Sequence, residues 1–272
     1  IEGVEYHIVV TGLSSAMGTI KLNWSLTLPP FTSQVGFRGL PPPIRPGVPG
    51  VIPPAQQQSV GVSLGAPYPV LITGQLQLLF APDTGLVDDP SIQFSTGGRV
   101  ANFRIAPNTT DAVFDDLTTN ILFQTGTVAG TITTRVVLSA LGQDITPVNA
   151  PQGSATVSQL PPVMADIRIN PIGETGFEII VLGYSTTRHM KQALFEFKAS
   201  VGSSLGTTSL TVDVESVFNT WFRSAQSNQF GGQFRLAVPF TISGGTNTTY
   251  DSIFVTLTNT PGNSTRTEVR KP

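Results

Sequence analysis

Apolar and polar side chains alternate with a period of two along much of this chain, and this pattern limits the fold more than any other feature. Residues 19–28 are the clearest case, with apolar side chains at every second position: Ile20, Leu22, Trp24, Leu26 and Leu28. Successive side chains of an extended chain point to opposite faces, so this segment is predicted to be a strand with one apolar face.

Similar runs recur along the chain, separated by turn residues such as Gly97-Gly98 and Pro107-Asn108. We predict further strands at residues 6–10, 60–64, 68–80, 92–94, 100–105, 112–114, 120–124, 127–138, 165–170, 177–184, 192–199, 209–214, 234–242 and 252–259. Regular short strands with frequent turns are typical of β-sandwiches. The predicted fold is therefore all-β, with two immunoglobulin-like sandwich domains.

Two proline-rich stretches interrupt this pattern, at residues 29–54 and 146–162. Proline fixes φ and has no backbone N–H to donate, so we expect the first stretch to be a stiff strap that does not pair within a sheet. The predicted organisation is a strand arm at 1–36, a first sandwich at 37–158 that includes the strap at 37–54, and a second sandwich at 159–272.

One segment follows a helical period instead. Between residues 214 and 225 the apolar side chains recur every three or four positions, as Val214, Val217, Phe218, Trp221 and Phe222 show. This spacing predicts a short helix that caps one end of the second sandwich and buries Trp221. The alternative is that Trp221, Phe222 and Phe230 form an exposed platform on which a sugar stacks.

Composition narrows the classes of function. Charged residues make up only 12% of the 272 residues, the formal net charge is −2, and there is no cysteine. A chain without a basic patch is not expected to bind nucleic acid, and one without cysteine has no thiolate site. No apolar run approaches the roughly 20 residues that span a bilayer, so no membrane insertion is expected.

A polar, weakly charged surface is common on extracellular β-proteins, and we expect this chain to be secreted or on a cell surface. It begins at Ile1 rather than Met, which we interpret as a mature chain whose leader has been removed. In a secreted protein, four Asn-x-Ser/Thr sequons are candidates for glycosylation, at Asn23, Asn108, Asn247 and Asn263.

Both predicted sandwiches contain short distinctive motifs. In the first they are PAQQQ at 54–58, APYPV at 66–70, ITGQL at 72–76 and DDPSIQFSTGGR at 88–99. In the second they are GYSTTR at 183–188, LTV at 210–212 and QFGGQF at 229–234. These motifs resemble a repeated module of large secreted bacterial surface proteins with tandem Ig-like domains. The resemblance covers about residues 37–260 and implies tandem Ig-like modules without an assigned chemistry.

Few residues suggest catalysis or metal binding. The two histidines, His7 and His189, are far apart in sequence, and no nucleophile elbow, zinc-protease motif or P-loop is present. Carboxylates cluster at Asp83, Asp88 and Asp89 and again at Asp111, Asp115 and Asp116, which would suit Ca²⁺, but their spacing matches no calcium loop. We therefore predict no enzyme activity, no cofactor and no metal site.

The amphipathic segment at 19–28 suggests the function. The predicted strands at 6–10 and 19–28 would not be stable as an isolated pair. They must therefore pack on the sandwich of their own chain or on a neighbouring subunit. We expect a structural subunit of an extracellular filament or surface assembly, a homopolymer whose N-terminal arm adds a strand to the next copy. Its interface residues would be Ile20, Leu22, Trp24, Leu26 and Leu28. The alternative is an adhesin or glycan-binding segment of a larger surface protein.

Overall fold

The structure, a computed structural model, describes residues 28–271. Among these, 17 strands, one α-helix (α1, Glu215–Arg223) and one 3-10 turn (Ser227–Phe230) follow one another in chain order. The strands are β1 Val35–Arg38, β2 Gly50–Ile52, β3 Gln57–Leu64, β4 Ile72–Pro82, β5 Val100–Ile105, β6 Val113–Phe114, β7 Ile121–Gln124, β8 Gly130–Ala140, β9 Gln143–Asp144, β10 Gly153–Val157, β11 Val163–Ile172, β12 Gly176–Tyr184, β13 Gln192–Ala199, β14 Ser209–Asp213, β15 Gln233–Thr241, β16 Tyr250–Thr258 and β17 Thr267–Arg270.

Strands β1 to β10 form an N-terminal unit with two sheets. One sheet has the order β1-β3-β7, and the other has the order β2-β10-β8-β4-β5-β6, with β9 beside β8. Their apolar faces enclose one core, which includes the fully buried side chains Ile72, Leu76, Phe94, Phe123 and Leu138. The alternation that predicted these strands is thus the burial of every second side chain between two sheets.

Strands β11 to β17 form a C-terminal unit with its own core. The three-stranded sheet β11-β12-β15 faces the four-stranded sheet β14-β13-β16-β17. Ile179, Phe195 and Val255 are fully buried between them, and Phe218 and Phe222 of α1 join this core. The predicted all-β sandwich fold is confirmed, and so is a helix within the predicted 214–225 segment.

The proline strap was wrongly predicted to stay outside the sheets. Strand β1 pairs antiparallel with β3, and β2 pairs parallel with β10, so residues 29–54 cross from one sheet to the other. The prolines flank these two short strands and leave Val35–Arg38 and Gly50–Ile52 free to pair. Both strands lie at sheet edges, where nearby prolines are tolerated. Strand β1 also spans the predicted boundary between arm and first domain at 36/37.

The second proline-rich stretch also contributes to a sheet. Strand β10, Gly153–Val157, lies within 146–162 and joins β2 to β8. In contrast, the strand predicted at 92–94 makes only a single bridge, between Phe94 and Phe123. Strand β17 was not predicted, because the Asn-, Ser- and Thr-rich stretch before it resembles a loop.

Candidate functional site

Of the five predicted interface residues, only Leu28 lies within the described residues. Ile20, Leu22, Trp24 and Leu26 lie outside them, so their role stays a prediction. Leu28 is half-buried against the core of the N-terminal unit of its own chain. Next to it, the Tyr68 hydroxyl donates to the Pro29 carbonyl at 2.7 Å, and the Phe31 ring lies edge-on to Tyr68 at 5.5 Å. Residues 28–31 are therefore packed on this unit.

This anchor lies at one end of the N-terminal unit, which we call the arm pole and define by Leu28, Phe31 and Tyr68. Strand β1 begins near the arm pole, where Val35 pairs with Leu64, the last residue of β3. Strand β3 begins at the other end, where the Ala55 N–H donates to the Gly126 carbonyl. That other end contacts the C-terminal unit, as the following bonds show.

A buried carboxylate organises the contact between the two units, which we call the joint. Asp89 has no exposed surface and accepts four hydrogen bonds within the N-terminal unit. Its Oδ1 accepts from the Ser91 N–H at 3.0 Å and the Ser91 hydroxyl at 2.6 Å, and its Oδ2 accepts from the Thr127 N–H at 2.6 Å and the Thr127 hydroxyl at 3.0 Å. A buried charge is tolerable only with such complete satisfaction.

Thr127 carries this network across to the C-terminal unit. Its hydroxyl oxygen accepts from the Gly232 N–H at 2.8 Å, while the hydroxyl proton is directed at Asp89. Nearby, the Ala129 N–H donates to the Thr186 carbonyl at 2.9 Å. The Thr186 hydroxyl in turn accepts from the Leu160 N–H at 2.8 Å. The joint is thus a set of specific hydrogen bonds rather than an open linker.

Two consecutive glycines allow the units to approach this closely. Gly231 has φ of 59°, and a Cβ on it would collide with the Asp89 carboxylate. A Cβ on Gly232 would lie 2.5 Å from the carbonyl oxygens of both Ser185 and Thr127. No other residue type fits at these two positions without moving one unit away from the other.

Arg188 supplies the positive charge of the joint. Its guanidinium is buried and donates to the carbonyls of Gly231 and Phe222, to the Ser227 hydroxyl at 2.8 Å and to the Asn228 side chain at 2.9 Å. Burial lowers the pKa of Arg188, and the negative charge of Asp89 opposes this shift. The two charges therefore act on one another across the joint.

The sequence did not predict the joint, although three of the motifs noted above contribute residues to it. Three of the motifs that resemble secreted surface modules meet there: the stretch 88–99 supplies Asp89, 183–188 supplies Thr186 and Arg188, and 229–234 supplies Gly231 and Gly232. Asp89 looked like an ordinary turn residue beside Pro90. Only the fold brings these segments together, and even Thr127 and Gly232, which are hydrogen-bonded across the joint, are 105 residues apart in the sequence.

The prediction that Trp221 is buried is wrong. Trp221 is half-buried at the rim of the C-terminal core, and its indole N–H donates to the Gln233 carbonyl at 3.1 Å. Its ring stacks on Phe230 with centroids 6.4 Å apart, and Phe230 is 44% exposed. The face of α1 that enters the core is formed by Phe218 and Phe222, since these positions point directly between the sheets.

The described residues that were considered for catalysis or metal binding all contact other side chains or backbone groups of the protein. His189 Nε2 lies 3.0 Å from Glu215 Oε1, and His7 lies outside the described residues. In the acidic clusters, Asp88 pairs with Arg99 at 2.7 Å and Asp111 with Arg38 at 2.6 Å. Asp83 accepts from the Gln159 amide, Asn102 donates to Asp115, and Asp116 accepts from the Thr118 N–H and hydroxyl.

Within residues 28–271, no three His, Cys, Asp or Glu side chains lie close enough together to hold a metal ion. The asparagines of the three described sequons differ in access. Asn108 and Asn263 are exposed, whereas Asn247 uses its amide nitrogen to donate to the carbonyls of Gly173 and Gly176. In the described part of the chain, no helix is both long enough and apolar enough to cross a bilayer.

No protein-family model matches this chain, and no curated protein matches its sequence. Among solved structures, the chain is similar to a two-domain fibronectin type-III segment of chicken tenascin, with 10% identity over 80% of this chain and 93% of that one and a TM-score of 0.32. It is also similar to the FN1–FN3 domains of chicken CNTN1, with 8% identity, 82% and 68% coverage and a TM-score of 0.25.

A third similar structure is the class 5 fimbriae chaperone CfaA, with 8% identity over 88% of this chain and 99% of that one and a TM-score of 0.26. These values are low, so the fold described above is argued from the sheets of this chain itself. Membership of the secreted bacterial surface proteins stays a prediction.

Proposed function

We propose that the chain is a non-enzymatic structural subunit of an extracellular filament or surface assembly. Copies join when the N-terminal arm of one adds a strand to a sheet of the next. The observation that carries this proposal is the position of the arm pole. Leu28 packs against the core of the N-terminal unit at the end away from the joint, and the apolar row of residues 20–26 lies just before it in the sequence.

The apolar row has a strong reason to find a partner. Four apolar side chains on one face of an exposed strand would form an aggregation-prone edge on a monomer. At about 1.5–3 kcal/mol for each fully buried side chain, these four would contribute about 6 kcal/mol or more before ordering costs. Together with backbone pairing along a sheet edge, this burial would offset much of the cost of bringing two subunits together. A head-to-tail contact of this kind does not close on itself and builds an open filament.

The joint supports the same function. In a regular filament every subunit has the same orientation relative to the next, so the two units within each subunit must keep one fixed arrangement. The bonds among Asp89, Thr127 and Gly232 fix that arrangement through buried groups, which would be unsatisfied if the units separated. The low charge of the chain also limits repulsion between copies.

The test compares two substitutions on opposite faces of the arm in the full chain. Trp24→Glu places a charge in the apolar row, and Ser25→Glu places the same charge on the polar face. We expect the wild type and Ser25→Glu to form filaments in negative-stain microscopy and fast-sedimenting species in the ultracentrifuge, and Trp24→Glu to remain monomeric. A wild type that stays monomeric at high concentration, or a Trp24→Glu variant that polymerises normally, contradicts the proposal.

One observation favours a second function, a glycan-binding module. The stacked rings of Trp221 and Phe230 are partly exposed, and aromatic faces of this kind can bind the apolar faces of sugars. In that case a glycan array should show binding by the wild type that Phe230→Ala abolishes without a change in melting temperature. If no glycan binds, the second function is excluded, and the Trp221 and Phe230 rings only cover the edge of the C-terminal core.

A further inference from the structure

The core of the C-terminal unit is incomplete at the end away from the joint. Leu210 of β14 is paired with Phe195 of β13, and directly opposed residues of an antiparallel pair point to the same face. Phe195 is fully buried, so Leu210 also points toward the core side, yet it is 42% exposed. An inward-facing leucine with this exposure has no cover from the opposite sheet.

The helix α1 closes the other end of this core. It connects β14 to the segment before β15 and packs Phe218 against Phe234, the second residue of β15, with ring centroids 5.1 Å apart. This closes the space between the two sheets near the joint. Farther along β15 the inward side chains change from buried Phe234 and Leu236 to half-buried Val238 and Phe240.

The opening is a groove of about 430 Å³, which we call the distal groove. Its floor is aromatic, since Phe240 stacks on Phe177 at 5.2 Å and meets Phe197 edge-on at 5.5 Å. Its sides include Leu205, Leu210 and Tyr250. A groove of this size, with an apolar floor, fits a few large apolar side chains that stay attached to a strand.

One side of the groove also offers backbone groups for pairing. Among the described residues β14 has only β13 as a neighbour, so its other edge is open. Its residues Ser209, Leu210, Thr211 and Asp213 are exposed, and it contains no proline. The opposite strand, β15, is less suited because Pro239 has no N–H to donate. An added strand would therefore pair with β14 and place alternate side chains in the groove.

We infer that the distal groove binds the arm of a second copy of this chain, with Ile20, Leu22, Trp24 or Leu26 inserted between β14 and β15. This inference rests on the proposed function and names the receptor for the arm. The row supplies what the groove lacks, which is large apolar side chains at every second position of an extended segment.

Chain length excludes the groove of the same copy. Ile20, the residue of the row farthest from Leu28, is eight residues away, which at about 3.4 Å per residue is a reach of at most about 27 Å from the arm pole. From the arm pole to the distal groove, the path crosses β3 of eight residues and β12 of nine, which lie on either side of the joint. At the same rise this path is roughly 55 Å. The arm pole and the distal groove are thus the two ends of a head-to-tail junction.

The chain contains no cysteine, so introduced pairs can report the contact without background. Leu210→Cys is combined in turn with Ile20→Cys, Leu22→Cys, Trp24→Cys and Leu26→Cys in the full chain, and each double variant is oxidised. We expect at least one pair to give a ladder of disulfide-linked oligomers on a non-reducing gel. The control replaces Leu210→Cys by Leu79→Cys, because Leu79 is 41% exposed but lies in the N-terminal unit. It should give no ladder.

A charge in the groove gives an independent measurement. Leu210→Glu should remain folded, because the side chain is already partly in solvent, and should not polymerise. The Leu210→Glu variant keeps an intact arm, and the Trp24→Glu variant keeps an intact groove. Mixed together, they can form only one junction, so they should give a dimer and nothing larger. Polymerisation of the wild type but not of Trp24→Glu supports the proposed function. If, in that case, Leu210→Glu polymerises normally and no cysteine pair forms a ladder, the distal groove is not the receptor. If the wild type never polymerises, the proposed function itself fails.

Discussion

Replacing Asp89 by Asn tests whether the joint depends on a buried charge. The substitution preserves the size of the side chain but turns one acceptor oxygen into an NH₂ donor, which faces N–H or O–H donors of Ser91 or Thr127. The hydrogen bond from the backbone N–H on that side is lost, because an N–H cannot accept from the new amide, and the hydroxyl on that side keeps its bond only by reversing to accept. It also removes the negative charge of Asp89, which favours the charged form of the buried Arg188 guanidinium.

The expected cost follows from these losses. Hydrogen bonds to a charged group are worth about 1.5–3 kcal/mol each, and leaving a buried donor without a partner costs about 1–3 kcal/mol. Because these estimates describe overlapping effects, we expect a total of about 3–5 kcal/mol rather than the upper limit of their sum. For a chain of this size, with about 2–4 °C per kcal/mol, the melting temperature should fall by about 6–20 °C.

The assay is thermal and urea unfolding followed by circular dichroism, with Asp88→Asn as the matched control. Asp88 is the adjacent residue, but its side chain is 58% exposed where it pairs with Arg99. An exposed pair contributes about 0–1 kcal/mol, so Asp88→Asn should melt close to the wild type. If Asp89→Asn loses no more stability than Asp88→Asn, the buried network does not hold the joint and the reasoning above is refuted.

Three further predictions concern the core, metals and pH. Phe218→Ala should cost about 3–5 kcal/mol in urea unfolding, and Trp221→Ala should cost less because Trp221 is only half-buried; an equal cost would place Trp221 in the core after all. Prolonged EDTA treatment should leave the melting temperature unchanged, and a fall of more than about 5 °C would indicate a structural metal. Burial raises the pKa of Tyr184 and Tyr250, so their neutral forms stabilise the fold up to the unfolded pKa near 10. Stability should fall as the pH rises beyond it, and replacing both residues by Phe should reduce this alkaline loss in a pH series of melting temperatures.

The alternation of side chains predicted most of the sandwich, because burial between two sheets acts on every second residue. Strands Val100–Ile105 and Gln192–Ala199 were predicted at their observed bounds. The pattern fails where a strand is too short to show a period. Strands β1 and β2 have four and three residues between prolines, and their pairing is set by partners elsewhere in the chain.

The sites were harder to predict than the strands. The spacing of apolar residues placed a helix at 214–225, but it did not tell which side chain lies at the rim of the core, as Trp221 does. The joint depends on Asp89, Arg188 and Gly231, none of which is distinctive in its own segment. Their importance arises from contacts across the fold, which no local pattern encodes. The division of the chain at 158/159 stays a prediction.

The path of the strap determines how a subunit would respond to tension along a filament. Strand β2 runs parallel to β10, and both point toward the joint, where β10 ends at Val157 opposite Gly130. A pull between the arm pole and the joint therefore acts along the two strands and across the hydrogen bonds between them. Bonds loaded in shear must break together, whereas bonds at an unzipping end break one at a time. In the proposed filament, the route of the strap would thus place the bonds between β2 and β10 under shear rather than at an unzipping end.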